Sequence, residues 1–206
     1  MTAIIDYGVG NLFSLASSLR FIGAECAVTR DADEVRRADR IILPGVGAFG
    51  DAAEKLAATG LVPVLKERAA AGVPLLGICL GMQLLFEKSY EYGEHEGLGF
   101  IRGSVCPLEP DLEAAEKSLK VPHIGWNALH LVQPDSPLMR NTREGQHVYF
   151  VHSFYAKDCD DALVATAEYG VTVPATVANG NVYGCQFHPE KSGNAGLEIL
   201  RAFQSL

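Results

Sequence analysis

The first half of the chain alternates short apolar runs with stretches whose apolar residues recur at helical spacing. Residues 3–6 (AIID) predict a strand, and the glycine turn YGVGN follows. Asn11 then stands where it would cap a helix carrying Leu12, Leu15, Ala16 and Leu19 on one face. AECAVT (24–29) and RIILPG (40–45) predict strands, joined by a short amphipathic helix ADEVRRA (32–38). Residues 51–71 predict further helix, stopped by Gly72. VPLLGI (73–78) is an unbroken apolar run, as in a strand covered on both faces of a parallel sheet. The alternation predicts a doubly wound α/β sheet.

The second half changes character. GFIRGSV (99–105), HVYFVHSFYA (147–156), ALVATAEY (162–169), PATVA (174–178) and VYGCQF (182–187) predict closely spaced strands. Asn179-Gly180 between the last two is a two-residue hairpin signal. A closing helix directs Leu197, Leu200 and Phe203 to the core, while the acidic, proline-containing segment 107–120 predicts a surface excursion. No internal repeat or linker divides residues 1–206, so one domain is expected.

The net charge of −8 disfavours a general nucleic-acid binder, because phosphate binding needs a basic surface. No basic leader with an apolar core opens the chain, and no stretch of about 18 apolar residues would span a membrane. A cytoplasmic protein is expected. The five cysteines are odd in number and lack CxxC spacing, which disfavours a disulfide framework. Neither they nor the six histidines form a zinc signature, so no metal or other cofactor is expected.

The candidate chemistry centres on GICLG, with Cys79 between Gly77 and Gly81 where an apolar strand meets the helical pattern of MQLLFEKS. Two readings stand. The stretch is either a buried structural cysteine beside packing glycines, or the cysteine form of a nucleophile elbow, a strained turn that presents the side chain above the sheet. In the second reading the following helix N-terminus favours thiolate, and the Leu80 N–H can donate to an oxyanion. GCQFHPEKS supplies what the elbow needs: His188 as base and, two residues on, Glu190 to fix its tautomer and support its charge. The two motifs together point to a Cys79–His188–Glu190 triad. The loop ILPGVGAFGD (42–51) lacks the lysine of a phosphate-binding loop, and its GVGAFG is a weak match to a dinucleotide fingerprint. Beside a triad, its backbone offers the second oxyanion donor.

Together these motifs resemble the class I glutamine amidotransferases over nearly the whole chain; GICLGMQ and HPEKS carry the likeness most specifically. IDYGVGN, LPGVGAFGD, VPHIGWN and VYFVHSFY are similar to the branch of that family serving imidazole glycerol phosphate synthesis in histidine biosynthesis. The resemblance implies a flavodoxin-like, doubly wound, mostly parallel sheet with an additional antiparallel β portion. It implies that Cys79 attacks the glutamine side-chain amide, that His188 passes the proton to departing ammonia, and that water hydrolyses a γ-glutamyl thioester. It assigns the oxyanion hole to the N–H groups of Leu80 and of Val46 or Gly47. Gln83 and Glu91 would hold the glutamine head group, with Ser153 and Phe154 as a main-chain clamp. Asn11, Trp126, Asn127, Tyr149 and Lys191 match positions facing a partner.

That partner would be a (β/α)₈-barrel cyclase subunit, forming a heterodimer and receiving ammonia through its interior. Active sites of such barrels lie at the C-terminal face, so docking is expected at the opposite face. The glycine loop suggests that the isolated chain is a poor glutaminase until its partner aligns the oxyanion donor. The competing readings are a γ-glutamyl peptidase, a glutaminase subunit of another amidotransferase, and a silent glutamine-binding regulatory module.

Overall fold

The computed structural model describes residues 1–206. Its first half alternates as the apolar pattern predicts: β1 (Thr2–Ile5), α1 (Leu12–Phe21), β2 (Cys26–Thr29), α2 (Ala32–Arg37), β3 (Arg40–Leu43), α3 (Phe49–Ala58), α4 (Val62–Ala70) and β4 (Leu75–Ile78). After a one-turn α5 (Leu80–Gln83) come β5 (Phe86–Ser89), β6 (His95–Glu96), β7 (Ile101–Pro107), α6 (Glu109–Ala114), β8 (His123–Ala128) and β9 (His130–Leu131). The chain ends with β10 (His147–His152), β11 (Phe154–Lys157), β12 (Leu163–Glu168), β13 (Thr172–Asn179), β14 (Val182–Cys185) and α7 (Gly193–Gln204).

The main sheet runs β2-β1-β3-β4-β14-β13-β12-β9. Its first five strands are parallel, and the remaining pairings are antiparallel. Alternation along each strand explains the unbroken apolar runs. Ala3, Ile5, Ile41, Leu43 and Leu75 pack with residues of α2, α3 and α4, whereas Ile4, Ile42, Leu76 and Ile78 pack with α1 and α7. Both faces are therefore covered. A four-stranded sheet (β11-β7-β5-β6) and a β10–β8 pair flank this core. The Asn179-Gly180 hairpin joins β13 to β14, with Gly180 at φ +59°.

Several expectations need correction. Asn11 precedes α1 and its carbonyl accepts from Leu15, but its side chain makes no cap bond, because its ψ of 65° departs from the extended geometry such a cap uses. The helical stretch 51–71 is two helices, separated at Gly60 (φ +72°) and restarted with Pro63 in the first turn of α4. MQLLFEKS is not one helix: α5 ends after a single turn, and Phe86–Ser89 pairs with β7 instead. HVYFVHSFYA divides at Ser153, since β10 pairs with β8 and β11 with β7, in different sheets. Segment 107–120 lies at the surface as expected, and it is anchored there. Leu108 and Leu112 pack with Tyr155 and Val173, and Asp111 accepts from Tyr155 and Lys157 at 2.7 and 2.9 Å. In α7, Leu200 and Phe203 are buried as expected, while Ile199 takes the place foreseen for the half-buried Leu197.

Candidate active site

Four adjacent strands, β1, β3, β4 and β14, end on the same edge of the sheet. Their C-terminal ends release Tyr7, the loop from Pro44 to Ala48, Cys79 and His188. In an open α/β sheet this edge is where ligands bind. Cys79 follows β4 with φ 54° and ψ −112°, a left-handed conformation that costs a non-glycine residue about 1–3 kcal/mol. Its N–H donates to the Cys185 carbonyl at 2.7 Å, tying the turn to β14. The flanking glycines answer a packing need. A Cβ on Gly81 would lie 1.8 Å from the Leu43 carbonyl oxygen, and one on Gly77 would lie 2.6 Å from that of Gly81. The spacing of GICLG thus lets one turn pack against β3 while the cysteine is held in a strained elbow.

His188 reaches the same point because β14 lies parallel to β4, with Cys185 opposite Ile78. The HPEKS turn is fixed from β10. The His188 N–H donates to the Tyr149 carbonyl at 3.0 Å, the Tyr149 N–H donates to Ser192 Oγ, and that hydroxyl donates to the His188 carbonyl at 2.6 Å. His188 Nδ1 lies 2.8 Å from Glu190 Oε1, with both side chains almost fully enclosed. A carboxylate only accepts, so Nδ1 carries a proton in either charge state and Nε2 is the nitrogen that gains or gives up the second. Burial disfavours the imidazolium, but the Cys79 sulfur and the Glu190 carboxylate outweigh it and raise His188 to about 9. His188 Nε2 has no hydrogen-bond partner. Cys79 and His188 line the same cleft. The expected aid from the helix following Cys79 is weak, because a single turn carries little dipole.

A cleft of about 360 Å³ opens over this pair. Of the residues singled out in the sequence, Val46, Gly47, Leu80, Gln83, Glu91, Ser153, Phe154 and Lys191 line it with Cys79 and His188. Gln83 Nε2 donates to the Phe154 carbonyl at 3.0 Å and to Gln186 Oε1 at 3.1 Å. Glu91 accepts the Phe49 N–H at 2.6 Å. Burial pushes its carboxyl up, against the opposing effects of that N–H and of His95. The Phe154 carbonyl accepts from the side chains of Gln83 and His152.

Four of the expected partner-facing residues lie outside the cleft. Trp126 is 56% exposed and packs edge-on to Tyr149, with ring centroids 6.2 Å apart. Lys191 Nζ stands 6.0 Å from the Tyr149 ring, joining that group to the cleft mouth. Asn127 departs from this grouping. Alternation along β8 turns it to the opposite face from Trp126, where Nδ2 donates to the Glu168 carbonyl at 2.9 Å and reaches His123 Nε2 at 3.3 Å. Asn11 stands before α1, away from the cleft lining.

Other residues enter that the motifs did not single out. Gln186 Nε2 lies 3.9 Å from the Cys79 sulfur; its place between the end of β14 and His188 is the available signal. His152 lines the cleft and donates from Nδ1 to the Phe154 carbonyl at 2.9 Å. Its Nε2 must then accept from His123 Nδ1, 2.9 Å away. Burial lowers these two imidazoles to about 3 and about 4, with the His123 charge a further cause at His152. The pair is a neutral strut beneath the Phe154 carbonyl.

The description "Glutamine amidotransferase class-I" belongs to a family profile that matches residues 3–204. The chain is 54% identical over 205 residues to imidazole glycerol phosphate synthase subunit HisH of Bacillus licheniformis, covering 99% of this chain and 95% of the relative. It is 49% identical to the protein of the same description from Lactococcus lactis, covering 97% and 96%. Among solved structures, a glutamine amidotransferase superposes with a TM-score of 0.74 at 18% identity, covering 98% of this chain and 97% of that one. PurLQS from Thermotoga maritima gives 0.73 at 21%, covering 99% and 97%; both show the shared fold. This chain belongs to the class I glutamine amidotransferase family.

Proposed function

We infer that this chain is the glutaminase subunit of an imidazole glycerol phosphate synthase, acting in histidine biosynthesis as one domain of residues 1–206. Its near-full-length likeness to HisH subunits supports the pathway. The observation that carries the chemistry is the placement of His188 beside Cys79 and against Glu190, at the ends of adjacent strands and within one cleft.

Glutamine enters with its α-amino and α-carboxylate groups toward Gln83, Glu91 and the Ser153–Phe154 backbone. His188 Nε2 takes the Cys79 proton, and the thiolate attacks the side-chain carbonyl carbon. The oxyanion that forms is met by the N–H groups of Leu80 and of Val46 or Gly47. The imidazolium, supported by Glu190, returns the proton to the amide nitrogen. The C–N bond breaks, ammonia leaves, and a γ-glutamyl thioester remains. Water, deprotonated by His188, then attacks the thioester; glutamate departs and Cys79 regains its proton.

Ammonia released to bulk water near neutral pH is mostly protonated and lost as a nucleophile. The reading therefore includes a (β/α)₈-barrel cyclase partner that receives it at the mouth marked by Trp126, Tyr149 and Lys191. No helix is long and apolar enough to cross a membrane, and all five cysteines are free thiols, which supports a reducing, cytoplasmic setting.

The test is Cys79→Ser in the complex with the cyclase. Glutamine-dependent synthesis should vanish while high ammonium salt still supports it; loss of both activities would assign Cys79 to the fold.

A further inference from the structure

Tyr7 belongs to IDYGVGN, a motif to which the reaction above assigns no part. It follows β1 and is buried, and its hydroxyl donates to the Pro44 carbonyl at 2.6 Å. Pro44 opens the loop that carries the candidate oxyanion donors. A Cβ on Gly45 would lie 2.7 Å from the Tyr7 oxygen, 2.8 Å from the Gly81 nitrogen and 2.9 Å from Leu80 Cβ. The phenol therefore meets the start of the loop where that loop touches the elbow. The loop's other end is held as well, by the bond from the Phe49 N–H to Glu91.

Peptide planarity turns these two contacts into a geometric statement. Fixing the Pro44 carbonyl fixes the Gly45 N–H in the same plane, and fixing the Phe49 N–H fixes the Ala48 carbonyl. The peptide groups linking Gly45 to Ala48 therefore span between two fixed ends. Within that window neither the Val46 nor the Gly47 N–H makes a backbone hydrogen bond, and both residues line the cleft. Gly47, at φ +100°, has the backbone freedom such a window needs.

We propose that Tyr7 is a positioning residue of the glutaminase reaction: its buried hydroxyl holds the Pro44 carbonyl against the elbow and so sets where the Val46 and Gly47 amides stand relative to the carbon attacked by Cys79. The proposal rests on the glutaminase reading. A phenylalanine would fill the same space, so the hydroxyl is the informative atom. Burial, and secondarily negative charge at Cys79, push the phenol's titration up, so it stays a donor throughout the working pH range.

The test compares Tyr7→Phe with the unaltered chain, each bound to the cyclase subunit and its nucleotide substrate. The kcat for glutamine hydrolysis should fall by about tenfold or more, since removing one oxyanion donor outright costs about 10²–10³. KM for glutamine should stay within about twofold. Iodoacetamide alkylation of Cys79, read on its own peptide by mass spectrometry, should be unchanged, because that substitution at carbon forms no oxyanion. An unchanged kcat would overturn the proposal. So would a parallel fall in kcat, alkylation rate and thermal midpoint, which would assign the hydroxyl to the fold. An unaltered chain that releases no glutamate would refute the glutaminase reading itself, and the proposal with it.

Discussion

His188 Nδ1 and Glu190 Oε1 lie 2.8 Å apart, with side chains only 2% and 3% exposed. One intervening residue, Pro189, separates them, and a single 3₁₀ turn closes the contact. An enclosed ion pair is costly to form from water and strongly destabilising to leave half-made. With His188 raised to about 9, the imidazole holds its charge through the neutral range, and the Glu190 carboxylate supports that charge both at rest and during proton transfer.

Glu190→Gln keeps the shape of that contact and removes its negative charge. One cause of the raised His188 titration then disappears while burial, which lowers it, remains. His188 should therefore titrate below its present value of about 9, as followed by NMR of the imidazole. Glutaminase kcat should fall by about 10⁴, the loss expected when a triad carboxylate becomes its amide. An unshifted titration would mean that Glu190 is not what supports the imidazolium.

His123 and His152 predict an acid-sensitive fold. Their folded values, about 4 and about 3, lie below the ordinary 6.5. The unfolded chain then binds more protons, so their stabilisation is complete above pH 6.5 and is lost as pH falls toward 4. His188 has the opposite sign: its contribution is complete below 6.5 and fades toward about 9. Between pH 7 and pH 5 the two lowered imidazoles dominate, for a net loss of order 2–3 kcal/mol. Urea unfolding at both pH values measures it, and equal stability would show that the pair is not held neutral.

Trp126 should matter to binding and little to folding. It is 56% exposed, so Trp126→Ala removes little buried area and should leave the thermal midpoint of the isolated chain nearly unchanged. A tryptophan central to an interface contributes about 2 kcal/mol or more. Affinity for the cyclase, measured by calorimetry, should therefore weaken by over about tenfold. A lower midpoint with unaltered affinity would place Trp126 in the fold instead of the docking face.

The parallel half of the sheet was legible because β1, β3 and β4 are apolar at consecutive positions, as burial on both faces requires, while the edge strand β2, with Val28 exposed, was legible from its place in the alternation. Cys79 was legible because it sits between glycines where a strand ends, and His188 and Glu190 because a base and a carboxylate stand two apart just past another strand. Lengths and directions were less so. Whether MQLLFEKS stays helical depends on a pairing with β7, and Asn127 faces away from Trp126 through alternation on β8, a strand the apolar pattern does not announce. The contact of Tyr7 with Pro44 joins residues far apart in the chain, so no local pattern carries it.

Rapid quenching of glutamine turnover, followed by mass spectrometry of the peptide containing Cys79, tests the shared centre of this chemistry most directly. A sulfur made nucleophilic by the neighbouring imidazole should appear as a glutamyl adduct on Cys79, absent when His188 is replaced by Asn. Glutamate formed without that adduct, or an adduct that survives loss of His188, would contradict the account.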